Sequence, residues 1–293
     1  MSIIMKKVLI TGVCGQVGKA IYRLLSTSTD YELTLTNRTP NTVENIVELD
    51  ISNETGVNLI IDKIVPDIII NCAAFTAVDL CESEEDTAYK VNALGPKYLA
   101  MAAEKVGAVL VHLSSDYVFD GKGSKPYIES DVTNPISAYG MTKLAGELFV
   151  QKNCKKYFIL RPAWVYGEGR NFVNTMLRLG DSGKDIRVVS DQIGTPTSAI
   201  EIARVISFLI KTESYGIYHS TCQGSCSWYD FAVEIMKAAG KDVKVRPIST
   251  SEYPTPAKRP IYSILENKAL WERHNYVMKD WKEAFKEYWE GRD

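Results

Sequence analysis

No apolar run in this chain approaches the roughly 20 residues needed to cross a bilayer, so no helical membrane anchor is expected. Charge of one sign is not in excess either. Against 36 Asp and Glu stand 34 Lys and Arg, a formal net charge of -2, which gives no long-range pull toward nucleic acid or anionic lipid. The opening residues MSIIMKKVLITG run straight into an apolar, strand-like segment without a signal-peptide cleavage pattern. Internal repeats and low-complexity linkers are missing too. These absences predict a cytoplasmic globular protein with neither nucleic acid nor a membrane among its partners.

Closely paired cysteines are also scarce. The six thiols, at 14, 72, 81, 154, 222 and 226, are scattered, and in a chain without a secretion signal they read as free cysteines rather than a disulfide framework. The segment HSTCQGSC brings His219, Cys222 and Cys226 close in sequence. A zinc site needs four ligands and normally a tighter cysteine pair, so no metal site is expected there. What is present is ordinary for a soluble protein: 293 residues, 45% apolar and 24% charged, enough chain for one large domain or a large one with a smaller attached.

The first half alternates short apolar runs with amphipathic ones. Residues 6–12 (KKVLITG), 31–37, 45–50, 66–74 (PDIIINCAA), a run starting at 108, and 157–167 (YFILRPAWVYG) read as six strands. Between them, 16–25 carries Val17, Ala20, Ile21, Leu24 and Leu25 at helical spacing, 53–65 starts with Asn53 as a plausible N-cap, and 84–107 is a long helical stretch that Pro96 should kink. The alternation predicts an α/β fold: a Rossmann-like doubly wound parallel sheet with helices on both faces. Ligands bind such sheets at the carboxyl ends of the strands, and Gly12, Asn37, Asp50, Ala73, Ser114, Ser115 and Trp164 each follow a strand. Beyond about residue 165 the pattern loosens into helices at 171–183 and 227–240, the latter capped by Ser227, and a C-terminal amphipathic helix with Trp281, Phe285 and Trp289 on one side. The expected division is a dinucleotide-binding domain over 1–165, rejoined by 190–212, and a smaller C-terminal α/β substrate-binding cap over most of 166–293.

TGVCGQVG places Gly12, Gly15 and Gly18 between a strand and a helix. Glycines permit the turn and close backbone approach, and the helix start, with Gln16 and Val17, offers free N–H groups to a pyrophosphate. The second strand ends in Asn37-Arg38, lacking the carboxylate that favours NAD and carrying a guanidinium suited to a 2′-phosphate, so NADPH is preferred over NADH. Asp50, with Ile51 beside it, can accept a hydrogen bond from the adenine, and the small residues of CAAFT (Ala73, Ala74, Phe75, Thr76) sit where the cofactor must pass closely. In SAYGMTKLAGE, Tyr139 and Lys143 lie one helical turn apart on one face. On such a sheet, Lys143 would hold the nicotinamide ribose and lower the tyrosine's pKa, and Tyr139 would protonate a carbonyl oxygen as hydride reaches its carbon. Ser114 or Ser115 would donate to the developing alkoxide.

TGVCGQVG, NCAAFTAVD, HLSSDYVFDG, AYGMTKLAGE, RPAWVYG, NFVNTMLRL, DQIGTPT and RPIYSILENKAL, in this order, resemble the extended short-chain dehydrogenase/reductase family, and within it the dTDP-4-dehydrorhamnose reductases. The resemblance spans the chain from about Lys6 to the C-terminal segment. It implies reduction of the 4-keto group of dTDP-4-dehydro-L-rhamnose by NADPH or NADH, with Tyr139 as proton donor and Lys143 as its partner. Ser115 stands where the family usually has a threonine touching the substrate oxygen, Asp116 follows it, and Trp164 matches a tryptophan that lies against the sugar. Some members are described as magnesium-dependent dimers, which makes Mg2+ and a homodimer features to look for. Phe172, Trp228 and Tyr229 could stack on a base or simply pack. A reductase or epimerase of another nucleotide-linked deoxysugar, and a non-catalytic homologue resembling the methionine adenosyltransferase regulatory subunit, remain alternatives.

Overall fold

The structure, a computed structural model, describes residues 5–39 and 45–292. Six strands enter the main sheet in turn: β1 (Lys6–Thr11), β2 (Tyr31–Asn37), β3 (Val47–Glu48), β4 (Ile68–Asn71), β5 (Val109–Leu113) and β6 (Tyr157–Arg161). Short strands β7 (Val165–Tyr166), β8 (Ile186–Val189), β9 (Ile193–Gly194) and β10 (Thr197–Ser198) follow. Then β11 (Gly216–His219) returns to the main sheet beside β6, giving a seven-stranded order β11-β6-β5-β4-β1-β2-β3 with every pairing parallel. The doubly wound arrangement expected from the alternation is therefore present, and β11 extends it beyond the segment 190–212. All four residues of β4 are buried, as a strand covered on both faces requires.

One face is covered by α1 (Gln16–Ser26) and, far along the chain, α8 (Ala199–Leu209), whose Ile202, Val205 and Ile206 meet Val17, Ile21 and Leu25. The other is covered by α2 (Glu54–Ile64), α5 (Gly95–Val106) and α6 (Ala138–Asn153). Asn53 caps α2 as expected, accepting from the Gly56 N–H at 3.1 Å. A separate core joins α7 (Phe172–Gly180), α9 (Trp228–Ala238) and α11 (Trp281–Glu290), where Phe231, Ile235, Trp281 and Phe285 are buried together. Ser227 caps α9 through a reciprocal capping box with Asp230. The remaining helices are short: α3 (Val78–Cys81), α4 (Glu85–Tyr89) and α10 (Lys268–His274).

Two local expectations are corrected and a third is met. The third strand shrinks to the exposed pair Val47–Glu48, an edge too short to template further pairing. The run 157–167 is not one strand: Pro162 has no N–H for the ladder, Trp164 takes a left-handed backbone with φ 46°, and pairing resumes only at β7. The stretch 84–107 is helical and interrupted beside Pro96 as expected, by a π-helical turn over Lys90–Leu94 with Pro96 in the first turn of α5. Proline cannot donate to the carbonyl four residues back, and the wide turn accommodates that gap.

The charge at the floor of the second face is paired. Arg161 grips Glu147 through Nε to Oε1 at 2.9 Å and an NH2 nitrogen to Oε2 at 2.6 Å, with both side chains buried. Breaking such a pair strands a charge in a medium that cannot solvate it. Arg161→Met should thus lower the unfolding free energy by about 3–5 kcal/mol, seen as a fall in the urea midpoint. Arg161→Met with Glu147→Leu should recover most of the loss, and an unchanged midpoint in the single variant would contradict the pair's role.

Candidate active site

The glycine turn closes the sheet where β1 and β4 part. Gly12 has φ 64°, and a Cβ there would lie 2.6 Å from the Ala73 nitrogen. A Cβ on Gly18 would lie 2.4 Å from the Gly12 carbonyl oxygen, so α1 packs directly on the turn. Gly15 is the N-cap of α1 without a side-chain cap, leaving the first helical N–H groups free for an anion. Beside this turn is a cleft of about 240 Å³ lined by Gly12, Gly15, Asn37, Arg38, Asp50, Ile51, Ala73, Ala74 and Phe75, together with Thr39, Leu49, Cys72 and Val91. A glycine cradle, an open helix start and an exposed guanidinium fit a dinucleotide with a phosphorylated ribose.

The remaining expected cofactor residues stand differently. Val17 points into the core, and Gly18 is packed on the turn, so both reach the cleft only through the backbone. Gln16 faces a separate groove of about 710 Å³, where Lys19 and Arg23 both pair with Glu168 and Arg292 lies over Tyr288. The Gln16 Oε1 accepts from Asn171 at 2.9 Å. Thr76 is exposed and outside the cleft lining. Asp50 Oδ1 accepts from the Ser52 N–H and hydroxyl at 2.9 and 2.7 Å, which fixes the carboxylate beside Ile51.

Two acceptors set the start of α6. Ser137 accepts from the Gly140 N–H at 3.2 Å and Glu82 from the Ala138 N–H at 2.9 Å, which puts Tyr139 in the first turn. Tyr139 is 8% exposed and shares a cluster with Cys81, Ala138 and Phe75, the last of which also lines the cleft. Tyr117 meets its ring edge-on at 5.4 Å. The phenol is not acidified as the sequence suggests. Burial pushes its pKa above the usual value of 10.0. Lys143, one turn on, is 1% exposed and turns its ammonium onto the Leu113 carbonyl at the end of β5. Burial lowers its pKa to about 8, opposed by the charge of Glu147. The lysine therefore spends its charge on the strand end rather than on the phenol.

Of the two serines after β5, Ser115 is the one turned to this centre. It donates to Asp116 Oδ1 at 2.8 Å and accepts from the Tyr117 N–H at 3.2 Å, whereas the Ser114 hydroxyl has no partner. Trp164 is held as a sandwich: Trp228 stacks on it at 3.6 Å and 9°, and Gly194 lies so close on the ring that a Cβ would be 2.5 Å from it. Phe172 packs on Trp228 in turn. The aromatic group thus packs on itself.

Several residues at this centre were not singled out from sequence. Asn92, in the π-helical turn, clamps the Phe75 peptide, accepting from its N–H at 2.8 Å and donating to its carbonyl at 3.0 Å. A π-turn before proline is the signal that marks it. Thr11, Asn71 and His112 form a buried ladder under the cleft, with Thr11 donating to Asn71 at 2.7 Å. Arg259 pairs with Asp79 at 2.9 Å and reaches the Tyr117 hydroxyl at 3.3 Å. Cys222 and Cys226 are buried thiols pushed up to about 12 by burial, and the His219 Nδ1 is engaged with the Glu266 carbonyl. Among the described residues no group of three or more His, Cys, Asp or Glu side chains is placed to hold a metal ion.

A parallel sheet with this strand order, a glycine turn at its switch point and a Tyr-x-x-x-Lys helix facing a serine beyond β5 define an extended short-chain dehydrogenase/reductase. The RmlD substrate binding domain family matches residues 5–292, and the chain belongs to that family. It is 40% identical to the spore coat polysaccharide biosynthesis protein SpsK of Bacillus subtilis, over 98% of both chains. A dTDP-4-dehydrorhamnose reductase structure from Clostridium acetobutylicum superimposes with a TM-score of 0.91 at 50% identity, covering 96% of this chain and 98% of that one. The Bacillus anthracis dTDP-4-dehydrorhamnose reductase in complex with NADP also gives a TM-score of 0.91, at 40% identity and 99% and 100% coverage.

Lys143 yields a test of the site's cost to the fold. Its folded pKa of about 8 lies below 10.5, so between these values the unfolded chain binds more protons and stability rises with pH. Below pH 8 the penalty of the buried charge is present in full. Lys143→Met should stabilise the protein by about 1–3 kcal/mol at pH 7, and the difference in urea midpoint should close by about pH 10.5. A variant less stable than wild type at pH 7 would show that the ammonium's hydrogen bond outweighs its desolvation.

Proposed function

We infer that this chain is an NADPH-dependent dTDP-4-dehydrorhamnose reductase, converting the 4-keto group of dTDP-4-dehydro-L-rhamnose to the alcohol of dTDP-L-rhamnose. The observation that carries the reading is the convergence of the Tyr139 phenol and the Ser115 hydroxyl beside Phe75, at the edge of the glycine cleft. The likeness to reductases at 50% and 40% identity, one of them in complex with NADP, supplies the substrate and cofactor.

In this reading Gly12, Gly15 and the backbone of Gln16, Val17 and Gly18 hold the pyrophosphate, and Asn37 and Arg38 the adenosine ribose with its 2′-phosphate. Asp50 and Ile51 bound the adenine. Ala73, Ala74 and Phe75 line the way to the reacting ring, and Lys143 anchors the adjacent ribose. The bound reduced nicotinamide supplies hydride. Tyr139, kept protonated by its burial, gives its proton to the carbonyl oxygen as charge develops there, and Ser115 offers that oxygen a second hydrogen bond. Trp164 bounds the sugar. No helix among the described residues is long and apolar enough to cross a membrane. With six free thiols, a reducing compartment suits the chain, and we place it in the cytoplasm.

Wild-type protein given NADPH and dTDP-4-dehydro-L-rhamnose should consume the reduced nicotinamide's absorbance, and Tyr139→Phe should lower kcat by about 10²–10⁴-fold with little change in NADPH binding. No loss of absorbance with wild type would remove the reductase reading and favour a binding role. Arg38→Asp should raise the KM for NADPH more than that for NADH, because it replaces the cation facing the 2′-phosphate with a carboxylate suited to a free ribose. Equal effects on both cofactors would make Arg38 a bystander.

A further inference from the structure

Ser115 has a single proton to donate, and it is already committed. The hydroxyl donates to Asp116 Oδ1 at 2.8 Å, while the Tyr117 N–H occupies one of its acceptor sites at 3.2 Å. In this arrangement Ser115 can only accept from the direction of Tyr139. It cannot also donate to a substrate carbonyl oxygen, which has lone pairs and no proton.

The carboxyl that takes the proton is itself in an unusual place. Asp116 is 3% exposed, sits at the start of the short helical turn after β5, and its Oδ2 has no hydrogen-bond partner. A buried carboxylate with one oxygen unsatisfied is costly. The groups facing it do not compensate. Ser115 and Ser263 are hydroxyls, and Tyr117 and Tyr139 are phenols, neutral at pH 7 and kept so by their burial. Arg259, which reaches the Tyr117 hydroxyl, is paired with Asp79. Burial accordingly lifts the Asp116 pKa to about 6, with the hydrogen bond from Ser115 holding it back.

We propose that Asp116 is a positioning residue that sets the direction of the Ser115 hydroxyl, and that Ser115 donates to the substrate's carbonyl oxygen only when Asp116 carries a proton. The neutral acid donates to Ser115 Oγ, and the serine proton is released toward the cleft. The proton on Asp116 comes from water and stays there through turnover; the one consumed by the reduction leaves Tyr139. Ionised Asp116 takes the serine proton back and leaves the alkoxide with one donor fewer. This assignment rests on the reductase reading and adds to it what controls the second donor.

The test is the pH dependence of kcat at saturating NADPH and dTDP-4-dehydro-L-rhamnose, between pH 5.5 and 8.5. Above the carboxyl's pKa of about 6, kcat should fall by up to about tenfold per pH unit, levelling where Tyr139 acts without Ser115. Asp116→Asn, whose amide cannot ionise, should lose this descending limb and exceed wild type at pH 8. Ser115→Ala should lower kcat across the range, and adding Asp116→Asn to it should change nothing further, the non-additivity expected of two groups acting as one. A flat wild-type profile, a limb retained in Asp116→Asn, or additive losses in the double variant would each overturn the proposal. The wild-type profile decides even where a variant is unstable. Absence of wild-type turnover at every pH would remove the reductase reading itself, whereas turnover with a flat profile removes only the role of Asp116.

Discussion

The centre of this molecule is a backbone contact. At the end of β1 the chain turns at Gly12 so tightly against Ala73, which follows β4, that a Cβ would come within 2.6 Å of the Ala73 nitrogen. These two strands are neighbours in the sheet, yet their continuations leave in opposite senses, to α1 on one face and to the Ala73–Phe75 loop on the other. Divergence at a switch point opens a crevice that no side chain has to be removed to create. Helix α1 then begins with unengaged N–H groups aimed into it, and the Asn37-Arg38 end of β2 forms its outer wall.

Around that crevice the protein has desolvated the groups that the chemistry would use. Tyr139, Lys143 and Asp116 are buried, and burial moves each away from its charged form: the phenol and the carboxyl upward, the ammonium downward. Fixed polar groups in a dry site act strongly on developing charge because no water has to reorganise first. The same burial is a standing cost to the fold, offset by two cores on the faces of the sheet and by the fully paired Arg161–Glu147 beneath α6. Function and stability pull against each other at these few positions.

Much of the large sheet was legible because its signals are local and repeated. Residues 31–37 form β2 as read, Asn53 and Ser227 cap the helices they were expected to cap, and the glycine turn is framed by strand and helix. Less legible were features that depend on remote partners. β11 is short and unremarkable in sequence, and becomes a sheet strand only because β6 offers it an edge. Trp164 reads as part of a strand until Pro162, Gly194 and Trp228 are seen around it. The clamp of Asn92 on Phe75 spans 17 residues, and the reach of Arg259 to Tyr117 spans 142; no periodicity encodes either.

Residue order alone determined which side chains stand one turn apart on a helix, which strands are apolar enough to be covered on both faces, and where glycine is needed for a turn. Those properties follow from the 3.6 and 2.0 periods of the backbone and from excluded volume, and need no knowledge of neighbours. The tertiary structure decided the ionisation of what those patterns bring to the site. A lysine near a tyrosine reads as a pair that makes the phenol acidic, but the direction in which each group's pKa moves depends on how much water remains and on which acceptor the ammonium meets. Here that acceptor is the Leu113 carbonyl, and the proton of Ser115 goes to Asp116. Both are consequences of packing.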